Sequence, residues 1–156
     1  MERERLALVT NKDFTRPNQG GNEGSARKIL EVVDANWTVV SPFTEANPSY
    51  TQIPIPLKKI PGSEQNIADL RQRRRLNNAL RGANPEAVIF DGDSLYGTSI
   101  YLGLPSDLRE NSVAVWRRMF RGDPSLHSEN QAERIRSFLY WKTQEYFAKH
   151  VGTNFA

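Results

Sequence analysis

The chain has 156 residues, 21 Lys and Arg against 18 Asp and Glu for a net charge of +3, and no cysteine. This length suits a single domain with a real core, and 38% hydrophobic with 25% charged residues is the balance of a globular chain rather than a disordered one. The lack of cysteine excludes disulfides, thiolate metal sites and cysteine nucleophiles; no apolar run is long enough to span a bilayer, and the charged start from Met1 to Arg5 has no signal-peptide character.

Leu6 to Thr10 is a short apolar run that reads as a buried strand. Residues 11–24 then form a polar loop carrying Pro17, Gly20, Gly21 and Gly24. Ala26, Ile29, Leu30 and Val33 fall at i, i+3, i+4 and i+7, one face of a helix, with Asn22 or Ser25 as candidate caps. Trp37 to Ser41 reads as a second strand closed by Pro42, and the proline-rich stretch Ile53 to Leu57 reads as an edge strand or a polyproline segment. Ser63 is placed to cap a helix running to about Arg81 with Gly82 as its stop. Ala87 to Phe90 is a third buried strand leading into Asp91-Gly92-Asp93, followed by a short helix from about Ser94 to Leu102. Val113 to Trp116 is a further strand, and Ser128 with Gln131 opens a long helix whose expected inner stripe is Ile135, Phe138, Leu139 and Tyr146. A last strand begins near Val151. Strands alternating with helices define an α/β fold: a doubly wound, mainly parallel sheet with helices on both faces, Rossmann-like, over one domain spanning 1–156.

In such sheets ligands lie at the carboxyl ends of the strands. Three loops would share that edge: 11–24, 91–97 and 117–127. In the first, Gly20 and Gly21 let backbone approach a ligand, while the helix start at Asn22 and Glu23 offers free N–H groups; a mobile connector is the plainer reading. It is neither a dinucleotide fingerprint nor a P-loop. In the second, Asp91, Asp93 and Ser94 either cap the next helix or face the cleft. Haloacid dehalogenase, GDSL-esterase and metal-binding D-x-D patterns each touch this block, and each lacks its required neighbours. In the third, Arg117, Arg118 and Arg121 are placed to clamp phosphate or carboxylate, or to stand in a solvated loop. The arginines at 71, 73, 74 and 75 read as a solvated helix face rather than a nucleic-acid patch.

The order of parts resembles the N-terminal domain of GT-B-fold glycosyltransferases, the family-4-like, glycogen synthase-like group. Gly20-Gly21-Asn22-Glu23 matches the Gly-Gly-x-Glu turn between first strand and first helix, and Asn84 to Phe90 is similar to that family's entry into a later strand. No His follows Phe90 or Trp116, where such enzymes often carry one. The resemblance implies the acceptor-side half of a two-domain transferase, inactive as this half alone. It would move a sugar from a nucleotide-sugar donor, held mainly by a C-terminal domain, to a sugar or lipid-linked acceptor. It implies no cofactor or metal, Asp91 and Asp93 in proton transfer or acceptor contact, and Gly20, Gly21, Asn22, Glu23, Ser94, Arg117, Arg118 and Arg121 in binding. It also implies a cytoplasmic protein, peripheral at the inner membrane surface in some members. Two other readings stay open: a non-catalytic Rossmann-like module for nucleotide, nucleic acid or a protein, and a small hydrolase using Asp91.

Overall fold

Ala7, Leu8 and Val9 are each at most 2% exposed, as a parallel strand covered on both faces requires. They belong to β1 (Arg5–Val9). In the computed structural model, which describes residues 2–15, 21–60, 66–91, 95–115 and 131–155, the chain continues through α1 (Gly21–Val32), β2 (Asn36–Ser41), β3 (Thr51–Pro54), β4 (Leu57–Lys59) and β5 (Asn66–Ala68). A 3-10 turn (Leu70–Gln72), α2 (Arg73–Ala83), β6 (Ala87–Asp91), α3 (Leu95–Gly103) and α4 (Ser106–Arg109) follow, then β7 (Ser112–Val115), α5 (Gln131–His150) and β8 (Thr153–Phe155). Six strands form one sheet in the order β3-β2-β1-β6-β7-β8, every pairing parallel. β4 and β5 make a separate antiparallel pair. Counted alone in chain order, the six run 3-2-1-4-5-6, the order of a doubly wound sheet built from two halves.

Side-chain alternation along the strands sorts the core into two layers. Leu8, Trp37 and Val39, with Leu6 and Ile89 beside them, pack under Ala26, Ile29 and Leu30 of α1. Ala7, Val9, Val40, Val88, Phe90 and Ala114 face the other way. They meet Leu76 and Leu80 of α2, Tyr96, Ile100 and Tyr101 of α3, Leu108 of α4 and Phe147 of α5. Phe90, Tyr101 and Phe147 form an edge-to-face trio with centroids 4.9–5.8 Å apart, geometry that adds to the area buried. Helices thus cover both faces of a parallel sheet, as the sequence pattern leads one to expect.

Several local expectations are corrected. α1 starts at Gly21, so Asn22 and Ser25 lie within the helix instead of capping it. Docking of Ala26, Ile29 and Leu30 on the sheet outweighs a helix-interior glycine's cost of about 1 kcal/mol. The expected helix from residue 63 instead contains β5 and the 3-10 turn, and α2 starts only at Arg73. Asp69 caps the 3-10 turn, its carboxylate accepting from the Arg71 amide at 3.2 Å, while α2 itself starts after Gln72 without a side-chain cap. Ala68 is drawn onto α3, its amide donating to Ser99 Oγ at 3.0 Å. The helix stops at Asn84, left-handed at φ 47°, and not at Gly82; Asn is the residue besides glycine that tolerates this conformation. In α5 the expected inner stripe faces outward: Ile135, Leu139 and Tyr146 are 46–58% exposed, while Gln144, Phe147 and Val151 are buried. The aromatic trio fixes that register, and Thr98 Oγ1 donates to Gln144 Oε1 behind it. Ser63 and Ser128 lie outside the described residues, and Phe138 is described by its backbone only.

β8 approaches β7 through Gly152, whose amide donates to Ser112 Oγ at 3.0 Å. A Cβ there would stand 2.7 Å from the Ser112 carbonyl oxygen and 3.0 Å from that of Glu110. Gly152→Ala is therefore expected to cost about 1–3 kcal/mol in urea denaturation; wild-type stability would show that the β7–β8 approach is looser than described. Asp69 gives a second expectation. Arg71 holds its carboxyl down to about 2 from an ordinary 3.8, first through the side-chain hydrogen bonds. A depressed carboxyl contributes stability above its unfolded pKa and loses it as pH falls through the folded one. Between about pH 4 and pH 2 the wild type is thus expected to lose more stability than Asp69→Asn; parallel acid limbs in the two proteins would contradict this.

Candidate functional site

The connections leaving β1 and β6 set the topology at the carboxyl edge of the sheet. From β1 the chain turns through α1 toward β2, and from β6 it turns through α3 and α4 toward β7, on the opposite side. The two crossovers diverge above Val9 and Phe90, the last pair that β1 and β6 share. Their carboxyl ends are therefore the topological switch point of the sheet, the place where open α/β sheets take ligands.

A short ordered turn follows β1 at this switch point. Thr10 is 1% exposed; its amide donates to the Val40 carbonyl at 3.0 Å, and its Oγ1 accepts from the Lys12 amide at 3.1 Å. Asp13 Oδ1 accepts from the Thr15 amide at 3.1 Å and from the Thr15 hydroxyl. Phe14 is buried and meets Tyr50 edge-on at 5.9 Å. Between Thr10 and Lys12 stands Asn11, whose Oδ1 is shielded from solvent and has no hydrogen-bond partner among the described residues. A buried acceptor left unpaired costs about 1–3 kcal/mol, and no donor among the described residues offsets that cost here.

Arg27 of α1 locks the turn in place. Its Nη1 donates to the carbonyls of Phe14 at 3.1 Å and Thr15 at 3.5 Å and reaches Glu45 Oε1 at 3.4 Å, while Nε donates to Glu31 Oε1 at 2.9 Å. Glu45 accepts the Tyr50 hydroxyl at 2.5 Å, and Gln52 bonds both the amide and the carbonyl of Glu45, at 2.7 and 2.9 Å. Burial first, then the Glu45 carboxylate, pushes the Tyr50 hydroxyl well above its ordinary pKa, so it serves here as a neutral donor. A cleft of about 310 Å³ lies between α1 and the segment after β2, with Phe14, Arg27, Trp37, Glu45 and Tyr50 among its walls. Its polar groups are bonded to one another, which makes it a clamp on the loops at this edge.

Of the residues singled out in the sequence, Asp91 is the last residue of β6, directly after Phe90, which pairs with Val9 of the neighbouring β1. Gly21, Asn22 and Glu23 form the first turn of α1, the next element after β1. These four are described by their backbone only. Gly20, Asp93, Ser94, Arg117, Arg118 and Arg121 lie outside the described residues. Among the described residues no three Asp, Glu or His side chains gather as a metal ion would need. Asn11 was not among the sequence candidates.

No family model, no curated protein and no solved structure matches this chain.

If Asn11 Oδ1 is unpaired, replacing the amide by an apolar group of similar shape removes a penalty rather than a bond. Asn11→Leu is expected to leave stability unchanged or raise it by up to about 1 kcal/mol in thermal and urea unfolding. A loss of more than about 1 kcal/mol would mean that the amide is satisfied inside the fold.

Proposed function

We propose that this domain is the acceptor side of a GT-B-fold glycosyltransferase, one that moves a sugar from a nucleotide-sugar donor to a sugar or lipid-linked acceptor. The observation that carries the reading is the reversal of strand order between β1 and β6, with the Gly20-Gly21-Asn22-Glu23 segment running into the first turn of α1 beside it. The unpaired Asn11 Oδ1 on the same edge supports a ligand rich in hydroxyl donors, which a sugar is.

In this reading Gly20 and Gly21 let backbone come close to donor and acceptor, and the amides at the start of α1, with Asn22 and Glu23, meet an anion or a sugar oxygen. Asn11 Oδ1 accepts from an acceptor hydroxyl. Asp91 takes the proton of the attacking hydroxyl or orients it, with Asp93 and Ser94 beside it in sequence. Arg117, Arg118 and Arg121 meet a phosphate or an acidic acceptor group. Donor phosphates are held by backbone N–H groups and basic side chains of a partner domain, so no resident metal or cofactor is required.

The test is sugar transfer by the product of the complete natural reading frame, assayed with uridine- and guanosine-diphosphate sugars. Asp91→Asn is expected to lower kcat by about 10²-fold or more, and Gly21→Trp to block turnover by filling the approach. Unchanged turnover in both variants would overturn the site. Absence of transfer, together with nucleic-acid binding that weakens steeply with salt, would replace the reading with a non-catalytic Rossmann-like module. Phosphatase activity lost in Asp91→Asn would replace it with a hydrolase.

A further inference from the structure

The cleft of about 310 Å³ beside α1 exists because one crossover lacks a helix. A parallel connection usually takes a dozen residues or more and lays a helix on the sheet. β2 and β3 are parallel, yet residues 42–50 alone join them, and this stretch holds no helix. On that face α1 packs over Leu8, Trp37 and Val39, and no second helix closes the surface beside it among the described residues. Val33 shows the consequence. It continues the apolar stripe of Ala26, Ile29 and Leu30, yet it is 40% exposed and lines the cleft.

The body of the cleft is apolar and aromatic. Leu30 and Val33 come from the end of α1, Trp37 from β2, and Phe14 and Tyr50 from the flanking loops. Its walls are braced: Trp37 Nε1 donates to the Val33 carbonyl at 3.1 Å, and Arg27 and the Tyr50 hydroxyl hold Glu45 between them. The cleft is thus formed before any ligand arrives, and its volume lies at the small end of ligand pockets, about 300–1,000 Å³. Charge around it is unbalanced. Glu31, Asp34 and Glu45 line it against Arg3 and Arg27. Both guanidiniums are already paired, Arg3 with Asp34 at 3.1 Å and Arg27 with Glu31 at 2.9 Å and Glu45 at 3.4 Å, so one carboxylate charge is left over. The Glu31 and Asp34 side chains are 61% and 77% exposed and open to a ligand.

A surplus carboxylate beside aromatic rings and uncovered aliphatic surface suits an organic cation. Its charge is drawn to the carboxylates and the rings, and its apolar body covers Val33 and Leu30. An anion of the same shape would meet the surplus negative charge instead. We infer that this cleft binds a small arylalkyl ammonium ion, with its ring against Trp37 and Tyr50 and its ammonium toward Glu31 and Asp34. The inference does not depend on the glycosyl-transfer reading, because none of these side chains is assigned to the sugar.

The experiment titrates the nitrogen-15-labelled whole chain at neutral pH with three probes of one shape: cationic phenethylamine, neutral 2-phenylethanol and anionic phenylacetate. Phenethylamine is expected to give saturable shifts at the Trp37 indole N–H and at the amides of Val33, Ala35 and Tyr50. It should bind about tenfold more tightly than 2-phenylethanol, since an exposed cation–π contact and an exposed ion pair are each worth up to about fivefold. Phenylacetate should bind most weakly. Glu31→Gln with Asp34→Asn is expected to bring phenethylamine down to the level of 2-phenylethanol. Val33→Ser is expected to weaken both probes alike, by about threefold. All three positions are exposed, so both variants should keep the wild-type melting temperature. Phenethylamine that moves none of these signals, or moves Asn11 and Asp91 in their place, overturns the proposal. So does phenylacetate binding as tightly as phenethylamine, or an undiminished preference for the cation in the charge-neutralised variant.

Discussion

The pairing of β1 with β6 is the constraint on which the rest of this fold depends. Both strands sit in the interior of a parallel sheet and are covered on two sides, so both must be apolar on alternate faces. Ala7 and Val9 point with Val88 and Phe90 toward α2, α3 and α5, and Leu8 with Ile89 toward α1. One register, Val9 opposite Phe90, fixes where the strands end. The crossovers leave those ends in opposite directions, which makes them the switch point of the sheet. Its position follows from the connectivity of the sheet and not from any single side chain.

Two sets of polar contacts hold the edges of this arrangement, and both are internally satisfied. Arg27 ties the turn after β1 to the segment after β2 through Phe14, Thr15 and Glu45. Asp69 and Arg71 fasten the passage from β5 into α2 through parallel N–H to carboxylate bonds at 2.8–3.2 Å. Such closed networks rigidify the chain and specify one arrangement of it. Asn11 is of another kind. Its Oδ1 is shielded and has no partner among the described residues, as is true of Asn77 Oδ1 in α2. An unsatisfied, shielded acceptor of this kind costs the domain stability.

Much of the architecture was legible because buried parallel strands leave continuous apolar runs. Leu6–Thr10, Trp37–Ser41, Ala87–Phe90 and Val113–Trp116 each announced a strand that is present within a residue or so. The helices were less readable where tertiary contacts override local signals. Ser63 resembles a cap, yet Ala68 finds a partner in Ser99 and Asp69 provides the cap one turn before α2. Ile135, Leu139 and Tyr146 look like an inner stripe, yet Phe147 is claimed by Phe90 and Tyr101 and turns those three outward. Asp91 could be placed at a strand end from sequence alone, since it follows the run Ala87 to Phe90. Asn11 could not be singled out, because an unpaired acceptor is a property of the folded surroundings.

The claim at the centre of this account is that the switch point beyond β1 and β6 binds a hydroxyl-rich ligand. Nitrogen-15 correlation spectra of the labelled chain, titrated with a panel of mono- and disaccharides, test it most directly. The account predicts saturable shifts at the Asn11 side-chain amide and at the backbone amides of Asn11–Thr15, Gly21–Glu23 and Asp91, with the amides around the Arg27–Glu45–Tyr50 clamp changing little. Shifts confined to that clamp, or a spectrum that no sugar moves, would contradict it.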